Sequence, residues 1–189
     1  MRILVLAAVL AGCASTTASS ESSTSDPEVV TIPTPVQPPP LQLTLADLSG
    51  VVNGRWVTKT TAVGGAVEAS ALTQLSEGGL KRIVNLRSSG ELSGDEAGLS
   101  EAAGLEFVHM PVSGVADFTS EFLQEFERVL SDDRATLFHC ASGNRVGAAF
   151  ALHAQAHRGA TLEEALEIGR RHGLTSLESA VRSRLEQSP

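Results

Sequence analysis

Four small or polar residues separate a cysteine, Cys140, from an arginine, Arg145; they are Ala141, Ser142, Gly143 and Asn144. An apolar run precedes the cysteine, and a helical pattern follows the arginine. A loop between a strand and a helix N-terminus can direct backbone N–H groups at an anion. We expect this field to favour the thiolate of Cys140, and Arg145 to offer paired donors to an oxyanion. The alternative is a buried cysteine beside a solvated arginine.

The segment resembles the cysteine-dependent phosphatases of the protein tyrosine phosphatase superfamily, which carry His-Cys, five residues and Arg between a strand and a helix. Further matches recur in the same order in a bacterial phosphatase-like group associated with beta-lactamase-like hydrolase domains: Arg55-Trp56-Val57, "LKRIVNLR" at 80–87, Glu91 and "GLEFVHMP" at 104–111. The resemblance covers about residues 53–157. It implies hydrolysis of phosphomonoesters on proteins or small molecules through a phosphocysteine, without a cofactor.

Two departures from that pattern keep other functions open. The spacing of four resembles that of rhodanese-like sulfurtransferases, in which the loop holds a persulfide, so sulfur transfer through Cys140 is a second hypothesis. Val146 stands where many tyrosine phosphatases have Ser or Thr. The resemblance therefore implies slow turnover of the intermediate, and a non-catalytic anion-binding module is a third hypothesis.

The resemblance also proposes roles for residues outside the loop. The superfamily's general acid is usually an upstream aspartate, and Asp117 is the only carboxylate between Pro111 and Phe118. The favoured alternative is that Asp117 caps a helix beginning at Phe118. His109 is a second candidate acid, although we expect it to face the sheet. Arg87 either adds positive potential to the substrate-binding loop, residues 141–144, or pairs with Glu91.

Alternating strand and helix patterns predict an α/β fold, in which a mainly parallel sheet is flanked by helices, as in tyrosine and dual-specificity phosphatases. Strands are predicted near 56–57, 81–86, 107–110 and 135–139, and a turn at 64–65. Helices are predicted at 67–77, 95–103, 118–130 and 146–157, the last one buried. Two more helices follow, where Thr161 with Glu164 and Thr175 with Glu178 have capping-box spacing.

Two histidines one helical turn apart, His153 and His157, could bind a metal. No third ligand is evident in the sequence, so we predict no metal site. Five glutamates on the last two helices are predicted to be solvated: Glu163, Glu164, Glu167, Glu178 and Glu186.

The first forty residues resemble the start of a bacterial lipoprotein. Residues 1–12 combine a basic tip, a short apolar run and small residues, which is typical of a secretory signal. Cys13 follows in Leu10-Ala11-Gly12-Cys13, where the resemblance implies lipidation and removal of the preceding peptide. Residues 13–40 are rich in Ser, Thr and Pro, and predict an extended tether. The phosphatase-like domain is then 41–189.

These features predict a lipid-anchored protein on the periplasmic side of the bacterial cell envelope, with the outer membrane favoured by Ala14 after Cys13. With Cys13 lipidated, Cys140 would be the one free thiol. A net charge of −8 and a pI of about 5.1 have the wrong sign for phosphate-backbone binding. With six Phe, one Trp and no Tyr, base stacking is also disfavoured. Nucleic acid is therefore not an expected partner.

Overall fold

A five-stranded sheet organises the chain in the computed structural model, which describes residues 46–92 and 94–187. The strands are β1 (Arg55–Trp56), β2 (Thr61–Gly64), β3 (Arg82–Asn85), β4 (Glu106–His109) and β5 (Thr136–His139). They lie in the order β1-β2-β5-β3-β4. β1 is antiparallel to β2, and the other neighbours are parallel. The predicted mainly parallel sheet is thus confirmed. The signal segment, Cys13 and the tether lie outside the described residues.

Helices flank this sheet. They are α1 (Leu72–Glu77), α2 (Glu96–Ala102), α3 (Ser120–Leu130), α4 (Asn144–Arg158), α5 (Leu162–Arg171) and α6 (Glu178–Gln187). In α4 every residue from Val146 to Ala154 is buried, which confirms the predicted buried helix. Within the described residues, no helix combines the length and apolar character that a membrane crossing needs.

Alternate side chains of the central strands enter two separate cores, as the period of two in a strand requires. Val84 and Phe138 pack with apolar residues of α3, α4, α5 and α6. Ile83 and Leu137 pack on the other face with residues of α1. β5 is therefore the central, buried strand, and the residue that follows it lies at the carboxyl ends of the parallel strands, in the middle of the sheet.

Several predicted boundaries need correction. No strand was predicted just before the turn at 64–65, where β2 lies. This strand is short, has a sequence of small residues, and pairs with both β1 and β5. The helix expected from 67 begins at Leu72, after a 3-10 turn at Ala69–Ala71. The Thr161–Glu164 capping box is present. The Thr175–Glu178 box is wrong, because the Glu178 carboxylate pairs with Arg170 and the Thr175 amide donates to Asn144 Oδ1.

Candidate active site

The Cys140–Arg145 segment connects the central strand β5 to the first turn of α4. Cys140 is 1% exposed and is the free cysteine of the described residues. Gly143 precedes the helix with φ +97°, a left-handed conformation that glycine adopts without the steric penalty of a side chain. The sequence therefore places a thiol and a helix N-terminus in one short loop, as predicted.

The carbonyl oxygens of this loop are bound to the surrounding protein. Ala141 O accepts from Ala66 N at 3.0 Å, and Ser142 O accepts from Asn53 Nδ2 at 3.2 Å. Gly143 O accepts from Gly147 N at 3.0 Å, and the Gly143 amide donates to the Cys140 sulfur at 3.1 Å.

The backbone N–H groups of the loop are differently placed. Those of Ala141, Ser142, Asn144 and Arg145 donate to no atom of the described residues. Buried or loop N–H groups normally find a partner. This loop thus offers four amide donors in addition to the one on the sulfur, as an anion-binding loop requires.

The guanidinium of Arg145 is held by three hydrogen bonds. Its Nη1 and Nη2 donate to the two carboxylate oxygens of Glu91, each at 2.6 Å, and Nη1 also donates to Val112 O at 2.6 Å. The bond to Glu91 raises the pKa of Arg145, and the adjacent Cys140 sulfur raises it further. The guanidinium of Arg145 is therefore held in one orientation at the end of the loop that begins with Cys140.

Glu91 is positioned by its own short 3-10 helix, Ser89–Glu91. The Ser88 amide and hydroxyl donate to Glu91 Oε2 at 2.9 and 2.6 Å, which forms a capping box. The bonds from Arg145 and then from Ser88 hold the pKa of Glu91 well below its usual range. Glu91 is therefore a fixed anion at neutral pH.

Arg87 does not form the predicted ion pair with Glu91. Its Nη2 donates to the backbone carbonyl of Glu91, whose carboxylate is occupied by Arg145. Its Nε is buried without a hydrogen-bond partner among the described residues. The expectation that Arg87 contributes positive potential to the site stays a prediction.

Asp117 caps a different element from the one predicted. Its Oδ2 accepts from the amides of Ser113 at 2.7 Å and Gly114 at 3.1 Å, which closes a 3-10 helix at Val115–Asp117. Thr119, and not Asp117, is the N-cap of α3 and accepts from Phe122 N. The two amide bonds lower the pKa of Asp117. Its carboxyl group is thus ionised at neutral pH and engaged with backbone.

The side chain of Asn144 faces the C-terminal part of the chain. Asn144 Nδ2 donates to Ser176 Oγ at 2.6 Å, and Asn144 Oδ1 accepts from Thr175 N at 2.8 Å. Only the backbone of Asn144 therefore remains for the predicted substrate-binding role. The same side chain ties the loop to the segment between α5 and α6.

Glu96 is a site-adjacent residue that the sequence analysis did not single out. His139, which precedes Cys140, is completely buried, and its Nε2 lies 2.9 Å from Glu96 Oε1, at an angle too poor for a hydrogen bond. Glu96 Oε2 accepts from Asn85 Nδ2 at 2.8 Å. Asn85, His109 and His139 occupy one register row of the sheet, so this row was the available signal.

The other histidines have partners in the structure. His109 Nε2 donates to the backbone carbonyl of Arg87 at 2.8 Å. His153 contacts Glu127 through a short hydrogen bond and stacks on His157 with ring centroids 5.1 Å apart. In the described part of the chain, no group of three or more His, Cys, Asp or Glu side chains is arranged to hold a metal.

The fold and the loop agree with a known family. A family model described as a DSP-PTPase phosphatase fused to NAD+ kinase matches residues 57–186. The chain belongs to this phosphatase family, within the protein tyrosine phosphatase superfamily. The resemblance of the sequence to the protein tyrosine phosphatase superfamily is thereby confirmed. No curated protein sequence matches the chain.

Solved structures show the same fold. Tk-PTP in its active form is 23% identical, with a TM-score of 0.57 over 72% of this chain and 97% of that one. A candidate phosphatase of Neisseria meningitidis is 20% identical, with a TM-score of 0.59 over 74% and 98%. The kinase associated phosphatase, with its catalytic-site cysteine replaced by serine, is 18% identical, with a TM-score of 0.52 over 68% and 89%.

Proposed function

We propose that the protein is a cysteine-dependent phosphatase that hydrolyses phosphomonoesters through a phosphocysteine. The proposal is carried by one observation: Arg145, fixed by both oxygens of Glu91, shares a loop with the buried thiol of Cys140, and four backbone amides of that loop have no partner among the described residues. The Gly143 amide and the α4 N-terminus stabilise negative charge on the sulfur. A nucleophile and an oxyanion-binding group thus share one loop.

The reaction has two displacements. In the first, the Cys140 thiolate attacks phosphorus, a P–S bond forms, and the bond from phosphorus to the ester oxygen breaks. The loop amides and Arg145 stabilise the equatorial oxygens. The ester oxygen leaves as an alkoxide or phenoxide and takes a proton from an acid or from water. In the second, water attacks phosphorus, the P–S bond breaks, and inorganic phosphate and the thiolate are released.

Val146 makes the second displacement the slower one in this proposal. The side chain after Arg145 is completely buried and apolar, so it offers no hydroxyl to the departing thiolate. A rapid first turnover followed by a slow steady state is therefore expected with an aryl phosphate. The burst should release about one equivalent of phenol per enzyme.

The decisive experiment measures an aryl phosphatase activity and a thiosulfate:cyanide sulfurtransferase activity in the same preparations. We expect phosphate release by wild type and none by Cys140→Ser, because a serine hydroxyl stays protonated at neutral pH and is a far weaker nucleophile than a thiolate. Arg145→Lys should lose most activity because a lysine cannot provide the paired donors. Arg182→Lys is the matched control, since Arg182 pairs with Glu163 on the surface.

The rival functions give different results in these assays. Cys140-dependent thiocyanate formation without phosphate release would favour the sulfurtransferase, for which the four-residue spacing is the motive. Silence in both assays, together with phosphate or vanadate binding, would favour the anion-binding module. Full phosphatase activity in Cys140→Ser would overturn the nucleophile assignment.

We also propose that the protein is lipid-anchored at the periplasmic side of the cell envelope, on the basis of residues 1–40 of the sequence. Metabolic labelling with a fatty-acid analogue should mark wild type and Cys140→Ser, but not Cys13→Ser. The unlabelled variant should move out of the membrane fraction. A Cys13→Ser variant that still carries the label would refute the anchor.

A further inference from the structure

A cavity of about 630 Å³ lies near the amino ends of the parallel strands, whereas Cys140 lies at their carboxyl ends. Its wall includes Thr61, the first residue of β2, whereas Cys140 follows the carboxyl end of the parallel strand β5. The remaining wall comes from the connection between β1 and β2 and from α3, α4 and α5. Its volume lies within the range of about 300–1,000 Å³ that small-molecule sites occupy.

Two arginines at this cavity differ from the others in the described chain. Arg158 and Arg171 both line it, and neither side chain forms a hydrogen bond or ion pair with a described residue. The other nine described arginines are hydrogen-bonded, and these include the surface residues Arg128, Arg170 and Arg182. One cavity is thus lined by two exposed guanidiniums, and no described carboxylate forms an ion pair with either of them.

The acidic residues that share a pocket with these arginines, or that Arg158 affects electrostatically, have other hydrogen-bond partners. Glu127 binds His153, and Glu163 pairs with Arg182. Glu164 closes the capping box with Thr161, and Glu167 lies 3.4 Å from Arg170. Glu163, Glu164 and Glu167 line a neighbouring pocket together with both arginines, but none of these carboxylates forms an ion pair with Arg158 or Arg171.

The deeper wall of the cavity is aromatic and neutral. The rings of Phe150 and His172 are stacked with centroids 3.9 Å apart, and both residues are at least nine-tenths buried. His172 Nδ1 donates to Ile168 O at 2.7 Å. Burial lowers the pKa of His172 to about 4, so the imidazole is uncharged at neutral pH. An apolar floor and a cationic rim are thus present in one cavity.

We propose that this cavity is a second binding site, distinct from the Cys140 loop, for a small organic anion with an aromatic or apolar body. The two guanidiniums would bind the oxyanion of a sulfonate, carboxylate or phosphate group, for which arginine has the matching geometry. The Phe150–His172 stack and the aliphatic side chains of Val57 and Ile168 would contact the body. This site is independent of whether Cys140 is catalytically active.

The test uses the fluorescent probe 8-anilinonaphthalene-1-sulfonate, which joins an aromatic body to a sulfonate. Titration of the purified protein should show one saturable site. The double variant Arg158→Gln/Arg171→Gln should weaken binding by at least about tenfold, because two charge-assisted contacts are lost. Arg128→Gln/Arg182→Gln, which removes the same charge from other surfaces, should stay within about twofold. None of the four arginines is buried, so the variants should fold, and circular dichroism checks this.

Two further measurements locate the probe. The Arg145→Lys variant should leave its affinity unchanged, and the probe should shift the imidazole C–H resonances of His172. Equal affinity in both double variants, weakened binding in Arg145→Lys, or unshifted His172 resonances would each overturn the proposal.

Discussion

Glu91 and Arg145 form a two-point ion pair, in which each guanidinium Nη donates to a different carboxylate oxygen at 2.6 Å. The Arg145 side chain is 13% exposed and the Glu91 side chain 36%. The pair fixes the plane of the guanidinium, because two parallel bonds leave it no freedom to rotate. The orientation of the proposed oxyanion-binding group is thus set by a residue 54 positions away in the chain.

Glu91→Gln should therefore reduce kcat/KM for an aryl phosphate by about 10- to 100-fold, the equivalent of one charge-assisted hydrogen bond. The amide removes one acceptor and the negative charge, and Arg145 is then free to reorient. Glu125→Gln is the control, since Glu125 pairs with Arg128 on an exposed surface. Wild-type kinetics in Glu91→Gln would mean that the hydrogen bond to Val112 O alone suffices to orient the Arg145 guanidinium.

The lowered pKa of Glu91 also predicts the pH range over which this ion pair contributes to stability. A carboxylate whose pKa is lower in the folded state adds stability above its unfolded pKa and loses it as the pH falls through the folded value. The pair should therefore be intact throughout the range from mild acid to neutrality.

Asp117→Asn should have the same small effect on good and poor leaving groups. An asparagine Oδ1 can still accept from the Ser113 and Gly114 amides, so the loop is expected to stay formed. A general acid matters most when the leaving group is a poor one. The measurement compares a nitrophenyl phosphate with an alkyl phosphate. A loss confined to the alkyl ester would establish Asp117 as the acid.

Gly147→Ala should destabilise the protein by about 3 kcal/mol, near the upper end of the usual cost of overpacking. A Cβ on Gly147 would lie 2.0 Å from Leu174 N, and a backbone atom cannot move aside cheaply. Gly114→Ala is the control, because its added Cβ would meet nothing within 4 Å and its φ of −158° is extended. Urea unfolding measures both. A stable Gly147→Ala variant would show that α4 and this segment can separate at little cost.

His172 should make the protein less stable in mild acid. Its pKa is about 4 when folded and near 6.5 when exposed, so below pH 6.5 the unfolded chain binds the proton more readily and stability falls. From pH 7 to pH 5 the loss from this group is about 2 kcal/mol. His172→Gln should remove most of that dependence in urea titrations, whereas the exposed control His157→Gln should keep it. An unchanged slope in His172→Gln would exclude this group as the source.

The loop from Cys140 to Arg145 was predictable because its parts are contiguous. An apolar strand, a thiol, a glycine and a helix follow one another between 136 and 158, so local pattern and topology suffice to position Cys140 and Arg145. The partner of Arg145 was not predictable in this way. Arg87 is four residues from Glu91 and Arg145 is fifty-four, and only the packed structure shows which guanidinium takes the carboxylate.

Two other errors have the same physical origin. β2 carries little apolar character of its own and is a strand because β1 and β5 supply its hydrogen-bond partners. Asp117 has the residue type of a helix cap, yet its carboxylate accepts from the Ser113 and Gly114 amides, which precede it in the chain. Propensity identifies the residue type in such cases, and tertiary context decides which backbone groups it meets.

The side chain of Asn144 gives the C-terminal helices a role beyond covering the core. It joins the first residue of α4 to Thr175 and Ser176, and Gly147 admits Leu174 against the same helix. The segment between α5 and α6 thus buttresses the loop from behind. We expect a proteolytic cut in this segment to abolish the proposed reactivity of Cys140, although the cut would remove no residue of the loop from Cys140 to Arg145.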